Sequence, residues 1–230
     1  MLKQKNYFYL AILVFLIVIA FSSASYADSP GNEKEDLRLP ATTAYNKGGS
    51  HEHDGFYLRM QLGFANARSK RTGYSDIPDL EVSGSGTTFR IDIGGAIKEN
   101  LILFGVLGGI SIQDPDVKKD TFSGTMKNTT YSINDVGVGL TYYIMPANIF
   151  LGGSFNIAKI KADIGIVEGV YIRYESDSVC GLYLNIGKEW WVSDNWGLGV
   201  GGFGYFGEIP GDDGTIKNTA FGLFFSATYN

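Results

Sequence analysis

The chain has little of two residue types on which many exported or catalytic proteins depend. Its 230 residues include one cysteine, Cys180, and two histidines, His51 and His53. A single cysteine excludes an intramolecular disulfide framework. From Gly55 onward there is no histidine, which argues against catalysis that needs an imidazole base. We interpret His51 and His53 as part of a solvated segment, because no other residues near them have the spacing of metal ligands.

Basic residues are also in the minority. The sequence has 19 Lys and Arg against 24 Asp and Glu, a formal net charge of -5. No cluster of basic residues stands out. An acidic chain of this kind argues against nucleic acid as a partner.

The sequence has one long hydrophobic run, the twelve residues from Leu10 to Phe21. Lys3 and Lys5 precede the run, and small residues end it at Ala27. This is the pattern of a cleaved secretory signal over residues 1–27, and it falls short of the about 20 residues that span a membrane as a helix. Cleavage removes two basic residues and no acid, which takes the formal charge from -5 to -7.

Residues 28–54 are polar, contain Pro, Gly and Ser, and show neither helical nor strand periodicity. Such a composition buries too little apolar surface to fold, so we predict a flexible, disordered leader. Residues 55–230 remain, which is a suitable length for one domain.

From Gly55 onward, apolar side chains recur at every second position, which is the period of a β-strand. In the first such segment the apolar set is Phe56, Leu58, Met60, Leu62 and Phe64, and the alternate set is Tyr57, Arg59, Gln61, Gly63 and Ala65. Seven further segments follow the same scheme with varying strictness, at 88–97, 101–112, 135–144, 149–158, 178–190, 196–206 and 220–229. No helical stripe appears after the signal, so the sequence predicts eight strands.

The connections between these strands alternate in length. Short connections at 98–100, 145–148 and 192–195 separate longer ones at 66–86, 113–132, 159–177 and 207–218. Short turns at one rim and long loops at the other are typical of a transmembrane outer-membrane barrel. We therefore predict an all-β fold: an eight-stranded antiparallel up-and-down transmembrane β-barrel over 55–230, in which the first and last strands pair.

Aromatic residues crowd around one short turn. All three tryptophans, Trp190, Trp191 and Trp196, bracket the turn "VSDN". Amphipathic rings prefer the boundary between hydrocarbon and water, where barrels carry aromatic girdles. We predict a girdle at this rim that also includes Tyr142 and Tyr229, with Tyr143 at the same level.

Charged residues in the strands fall on the face with the glycines, which the barrel prediction turns inward. The interior of an eight-stranded barrel is only wide enough for side chains, and an unpaired charge there is costly. We therefore predict an interior polar network in which Arg59 and Arg90 neutralise some of the acidic members. The predicted network is Arg59, Arg90, Asp92, Asp135 and Glu189.

The signal, the strand pattern and the carboxyl-terminal segment together resemble the small outer-membrane barrels of the OmpA/OmpX type. "AFGLFFSATY", which ends at Tyr229, resembles the β-signal read by the barrel assembly machinery, although the chain ends in Asn230 rather than an aromatic residue. "GKEWWVSDNWGLG" resembles the penultimate hairpin of porin-like barrels of Gram-negative bacteria. The resemblance implies the bacterial outer membrane as location and its lipids as partners, but it implies little about activity.

We predict no enzyme activity and no cofactor or metal. "GLGVGG", from Gly197 to Gly202, spells a dinucleotide-binding pattern, but a strand continues where a helix would have to begin. The favoured function is a structural or surface-interaction role carried by the long loops, where Arg68, Lys70 and Arg71 are candidate contacts for lipopolysaccharide. Two alternatives stay open: a porin-like channel for small solutes, and a soluble periplasmic lipocalin-like binder with the apolar face turned inward.

Overall fold

The structure, a computed structural model, describes residues 53–73, 78–119, 122–167, 170–176, 178–210 and 214–230. The predicted signal and nearly all of the predicted leader lie outside the described residues. Among the residues that are described, no helix is long and apolar enough to cross a membrane.

The described part of the chain forms β-strands joined by turns. Their bounds are β1 Phe56–Thr72, β2 Leu80–Lys98, β3 Leu101–Gln113, β4 Asp116–Lys119, β5 Phe122–Thr125, β6 Thr129–Ile144, β7 Ile149–Val167, β8 Val170–Glu175, β9 Val179–Trp191, β10 Trp196–Pro210 and β11 Thr215–Tyr229.

Eight of these strands close into a barrel. Strands β1, β2, β3, β6, β7, β9, β10 and β11 each pair antiparallel with the strands before and after them in the ring. The first and last strands complete it, in a register that sets Leu58 opposite Tyr229 and Thr72 opposite Thr215. The predicted eight-stranded antiparallel barrel is confirmed.

The apolar face of each strand points out of the barrel and the charged face points in. Leu223 is 72% exposed and Phe56 48%, whereas Arg59 and Asp92 are both 0% exposed. A soluble barrel would bury the first pair and expose the second. This orientation excludes the lipocalin-like alternative, and it leaves a wide apolar belt that only an apolar medium or partner can cover.

The strands extend well beyond this belt at the end that carries the long connections. On β1 the outward residues are apolar up to Phe64 and polar from Asn66 through Lys70. The predicted loop at 66–86 is therefore mostly strand, because β1 and β2 stay paired as far as Arg71 and Leu80. The same correction applies to the predicted loop at 113–132, which contains β4 and β5, and to that at 159–177, which contains β8.

Several inward glycines make room for aromatic rings that fill the barrel. A Cβ at Gly201 would lie 2.6 Å from the ring of Phe224, and one at Gly139 would lie 2.6 Å from the ring of Phe104. The interior is therefore a packed core of side chains, as expected for a barrel of this size.

Two of the tight turns at the opposite rim depend on asparagine. Asn100 and Asn148 have φ angles of 63° and 50°, in the left-handed region that asparagine tolerates better than other residues with a side chain. We call this end the short-turn rim.

We expect Leu223→Arg to destabilise the barrel in lipid vesicles, because Leu223 lies on the apolar belt. A charged side chain near the middle of a bilayer costs a barrel about 2–4 kcal/mol. Urea unfolding in vesicles measures the change. Thr219→Arg, four residues along the same outward face but above the belt, is the matched control, and equal effects of the two substitutions would contradict the placement of the belt.

Candidate functional site

Asp92 is the centre of a buried polar network in the half of the barrel nearer the short-turn rim. It lies directly opposite Arg59 in the pairing of β1 with β2. Arg59 donates to Oδ2 of Asp92 from Nε at 3.1 Å and from Nη2 at 2.9 Å. Gln61 donates to the same oxygen at 2.9 Å, and Arg90 donates to Oδ1 at 3.0 Å.

Arg90 carries the network across the lumen to β6 and β7. Its Nη1 lies 3.4 Å from Oδ2 of Asp135, and its Nη2 donates to the Ser154 hydroxyl at 2.6 Å. Asn156 also donates to Asp135. The guanidinium group of Arg90 lies 3.9 Å from the centroid of the Tyr183 ring.

The two arginines and two aspartates balance in charge, which is the condition for keeping ions in so closed a space. Arg59 contacts Asp92, and Arg90 contacts both Asp92 and Asp135. Each arginine also lies against an aromatic ring, and for Arg59 the ring of Phe150 is 4.8 Å away. The ion pairs join β1, β2 and β6, and hydrogen bonds and ring contacts extend the arrangement to β7 and β9.

Glu189, the fifth member of the predicted set, lies in a separate cluster closer to the short-turn rim. It accepts hydrogen bonds from Tyr143 at 3.2 Å and from Thr228 at 2.6 Å. The structure gives it no ion pair with Arg59 or Arg90 among the described residues. Its partners are hydroxyl groups, and the sequence did not indicate that these groups would contact Glu189.

His53 corrects the prediction of a solvated segment. Its side chain is 0% exposed, and its ring stacks on Tyr143 with centroids 3.5 Å apart. Nε2 donates to the side-chain oxygen of Asn148 at 2.9 Å. The backbone NH of Asn100 donates to the His53 carbonyl at 2.9 Å. The end of the predicted leader is therefore bound across the short-turn rim by two turn asparagines.

The predicted aromatic girdle divides between the two faces of the wall. Trp190 is 49% and Tyr142 53% exposed on the outer face, and the rings of Trp196 and Tyr229 meet edge to face at 5.4 Å. Trp191 and Tyr143 point inward instead, and the Trp191 ring lies 5.0 Å from that of His53. The reason is the strand period, since Trp191 lies two residues after the inward Glu189.

The other half of the lumen is closed by apolar side chains. They include Ile110, Ile112, Ile133, Ile160, Val179 and Tyr205, all buried. A cavity between this layer and the network, beside Arg90 and Tyr205, has a volume of about 10 Å³, about the space of one water molecule. The lumen is therefore filled at two successive levels, by the charged network at one level and by the apolar layer at the other.

The sequence shows which protein family this barrel belongs to. Residues 13–228 match the model of the outer membrane protein beta-barrel domain. The chain belongs to this family. It is an outer-membrane barrel, and by the plan of such barrels the short-turn rim is periplasmic and the long-loop end is extracellular.

Solved structures with the same fold are distant in sequence. Neisserial surface protein A is 15% identical over 76% of this chain and 96% of that chain, with a TM-score of 0.50. The outer membrane protease OmpT from Escherichia coli is 12% identical over 77% and 97%, with a TM-score of 0.44. OprG from Pseudomonas aeruginosa is 12% identical over 78% and 99%, with a TM-score of 0.43. No curated protein matches the sequence.

The extracellular part of the outer-membrane barrel carries ion pairs on its outer face. Arg68 donates to Glu81, and this hydrogen bond holds the pKa of Glu81 below its ordinary value. Lys159 and Lys161 together lower the pKa of Glu175.

The candidate lipopolysaccharide contacts do not share one face. Arg68 and Lys70 point outward, but β1 continues through Thr72, so Arg71 is directed inward. There its Nη2 donates to the carbonyl of Pro78 at 3.4 Å. Arg71 therefore lies apart from Arg68 and Lys70, because the three residues lie on a strand rather than in the predicted loop.

We expect Asp92→Asn to lower the stability of the barrel strongly. The change leaves Arg59 and Arg90 with one buried carboxylate, and breaking a buried ion pair costs about 3–5 kcal/mol. Urea unfolding in vesicles measures the loss. Glu81→Gln breaks an exposed pair and serves as the control, for which we expect almost no change. Similar effects of both substitutions would show that the network contributes little.

We expect His53→Ala to destabilise the barrel by about 1–3 kcal/mol, because the change removes a buried hydrogen bond and leaves the side-chain oxygen of Asn148 without that partner. The denaturation temperature in detergent reports it. His51→Ala, two residues earlier in the predicted leader, is the matched control. If both variants melt like the parent, His53 does not fasten the segment to the rim.

Proposed function

We propose that this protein is a non-enzymatic outer-membrane barrel whose function lies in its extracellular surface, as a structural or interaction element of the cell envelope. The observation that carries the proposal is the doubly closed lumen. A charged network centred on Asp92 and an apolar layer around Tyr205 occupy it one above the other.

The closed lumen argues against steady passage of solutes. Along the described strands, the route between the two ends of the lumen meets buried ion pairs with contacts of 2.9 and 3.0 Å. Opening the route requires desolvated arginine and aspartate to separate, which is costly in a low-dielectric interior. A porin-like channel function is therefore the less favoured alternative.

The carboxylates of the interior do not form a catalytic arrangement. Asp92 accepts from three side chains and Glu189 from two hydroxyl groups. Asp135 borders the cavity beside Arg90, whose volume of about 10 Å³ is too small for a substrate. This supports a role without covalent chemistry.

Lipopolysaccharide remains a proposed partner, with a revised contact surface. On the outer face just above the apolar belt, Lys70 lies directly opposite Lys217 in the pairing of β1 with β11. Two neighbouring ammonium groups at that height suit the phosphates of the outer leaflet. Contact with the assembly machinery through "AFGLFFSATY" is likewise proposed from the sequence alone.

A conductance measurement tests the proposal. We expect the purified full-length protein, inserted in a planar lipid bilayer, to show no steady open level. A double substitution, Arg90→Ala with Asp92→Ala, removes the central ion pair while the remaining Arg59 and Asp135 keep the set neutral overall, and it should raise the frequency of brief openings. A reproducible open level in the parent protein would overturn the proposal in favour of the channel.

A further inference from the structure

Above the apolar belt, the two faces of the barrel wall differ in charge. The strand period directs the carboxylates of the described strands there to the outer face, and none to the inner face. These outward acids are Glu81, Asp116, Asp163, Glu175 and Glu208. The inner face of the same strands therefore has no negative charge to offer a cation.

One row of inner-face residues crosses six strands in register. From β10 to β5 it consists of Ile209, Ile216, Arg71, Leu80, Lys119 and Phe122. Neighbouring strands lie about 4.8 Å apart, so the row is about 24 Å long. It combines four large apolar side chains with two cations separated by a single leucine.

The cations of this row are unlike those of the outer face. Arg68 and Arg173 on the outer face have carboxylate partners. Neither Arg71 nor Lys119 makes an ion pair with a described residue, and Nε of Arg71 is buried without a hydrogen-bond partner. Both cations can therefore form an ion pair with an anionic ligand.

Large apolar side chains on the same inner face are left open to water. Phe122 is 66% exposed, Ile172 56% and Tyr174 60%. Tyr174 lies opposite Ala162 in the pairing of β7 with β8, and Ala162 packs against the buried core, which fixes the inward direction of this face. Exposed apolar groups on the inner, concave face of a wall are typical of a binding site.

We propose that these residues form a binding site for a single-chain anionic amphiphile, such as a long-chain carboxylate. We call the site the cup: Arg71, Leu80, Lys119, Phe122, Ile172 and Tyr174. The head group pairs with Arg71 and Lys119, and the chain covers the exposed rings. The ligand enters from the extracellular water, because the outer side of this wall is charged and lies above the belt. The inference rests on the proposed surface role and names its ligand class.

Photolabelling tests the site directly. Full-length protein in lipid nanodiscs is incubated with a hexadecanoate that carries a photoreactive diazirine, and labelled peptides are identified by mass spectrometry. We expect saturable labelling of the segments around Phe122 and Tyr174. Hexadecanoate should compete at least about tenfold better than hexadecanol, since a charge-assisted contact is worth about 1.4 kcal/mol or more.

Matched variants separate the site from general adsorption. Arg71→Gln should weaken labelling about tenfold, whereas Lys70→Gln, its neighbour on the outer face, should not. Phe122→Asp should abolish labelling of the cup and Ser123→Asp should not. The heat-dependent gel shift of each variant shows that the barrel is folded.

Three results would overturn the inference: labelling confined to the apolar belt, equal competition by the alcohol, or equal effects of the inner and outer variants. None of these three results bears on the proposed function, which a reproducible open conductance level would overturn.

Discussion

Hydrocarbon offers no hydrogen-bond partner to a backbone amide, so every amide within the apolar belt must be paired inside the protein. The ring meets this constraint by joining β11 to β1 along fifteen paired positions, from Leu58 with Tyr229 to Thr72 with Thr215. Closure leaves no free edge at the belt. It also gives each strand one face toward lipid and one toward the lumen, which is why a period of two dominates the sequence.

Closure with eight strands also limits what the lumen can contain. The space admits side chains and little else, so large rings are accommodated only where glycine faces them, as Gly201 faces Phe224. Polar groups in such a space must be satisfied by one another. The set of Arg59, Arg90, Asp92 and Asp135 balances its charges through ion pairs, and it fills the lumen at its level.

Above the belt the same wall meets water on its outer side, and the chemistry of its faces reverses. Charged pairs such as Lys159 with Glu175 now lie on the outside, while Ile172 and Tyr174 continue the inner surface. Pairing between strands persists although lipid no longer requires it. The consequence is an extracellular part that is built largely of paired strands, and the proposed surface role falls on this part.

The outward belt and the inward direction of Arg59 and Asp92 followed from the sequence, because alternation is a local property of each strand. The eight strands of the closed ring followed from that alternation together with the alternating lengths of the connections. The same alternation puts Trp191 on the inner face with Glu189. It also puts Arg71 on the inner face with Arg59, provided that β1 continues past Asn66. Tertiary structure alone decided the extent of the strands beyond the belt, the hydroxyl partners of Glu189 and the burial of His53. Those features depend on register and on contacts between residues far apart in the chain, such as His53 with Asn148, and no local pattern encodes them.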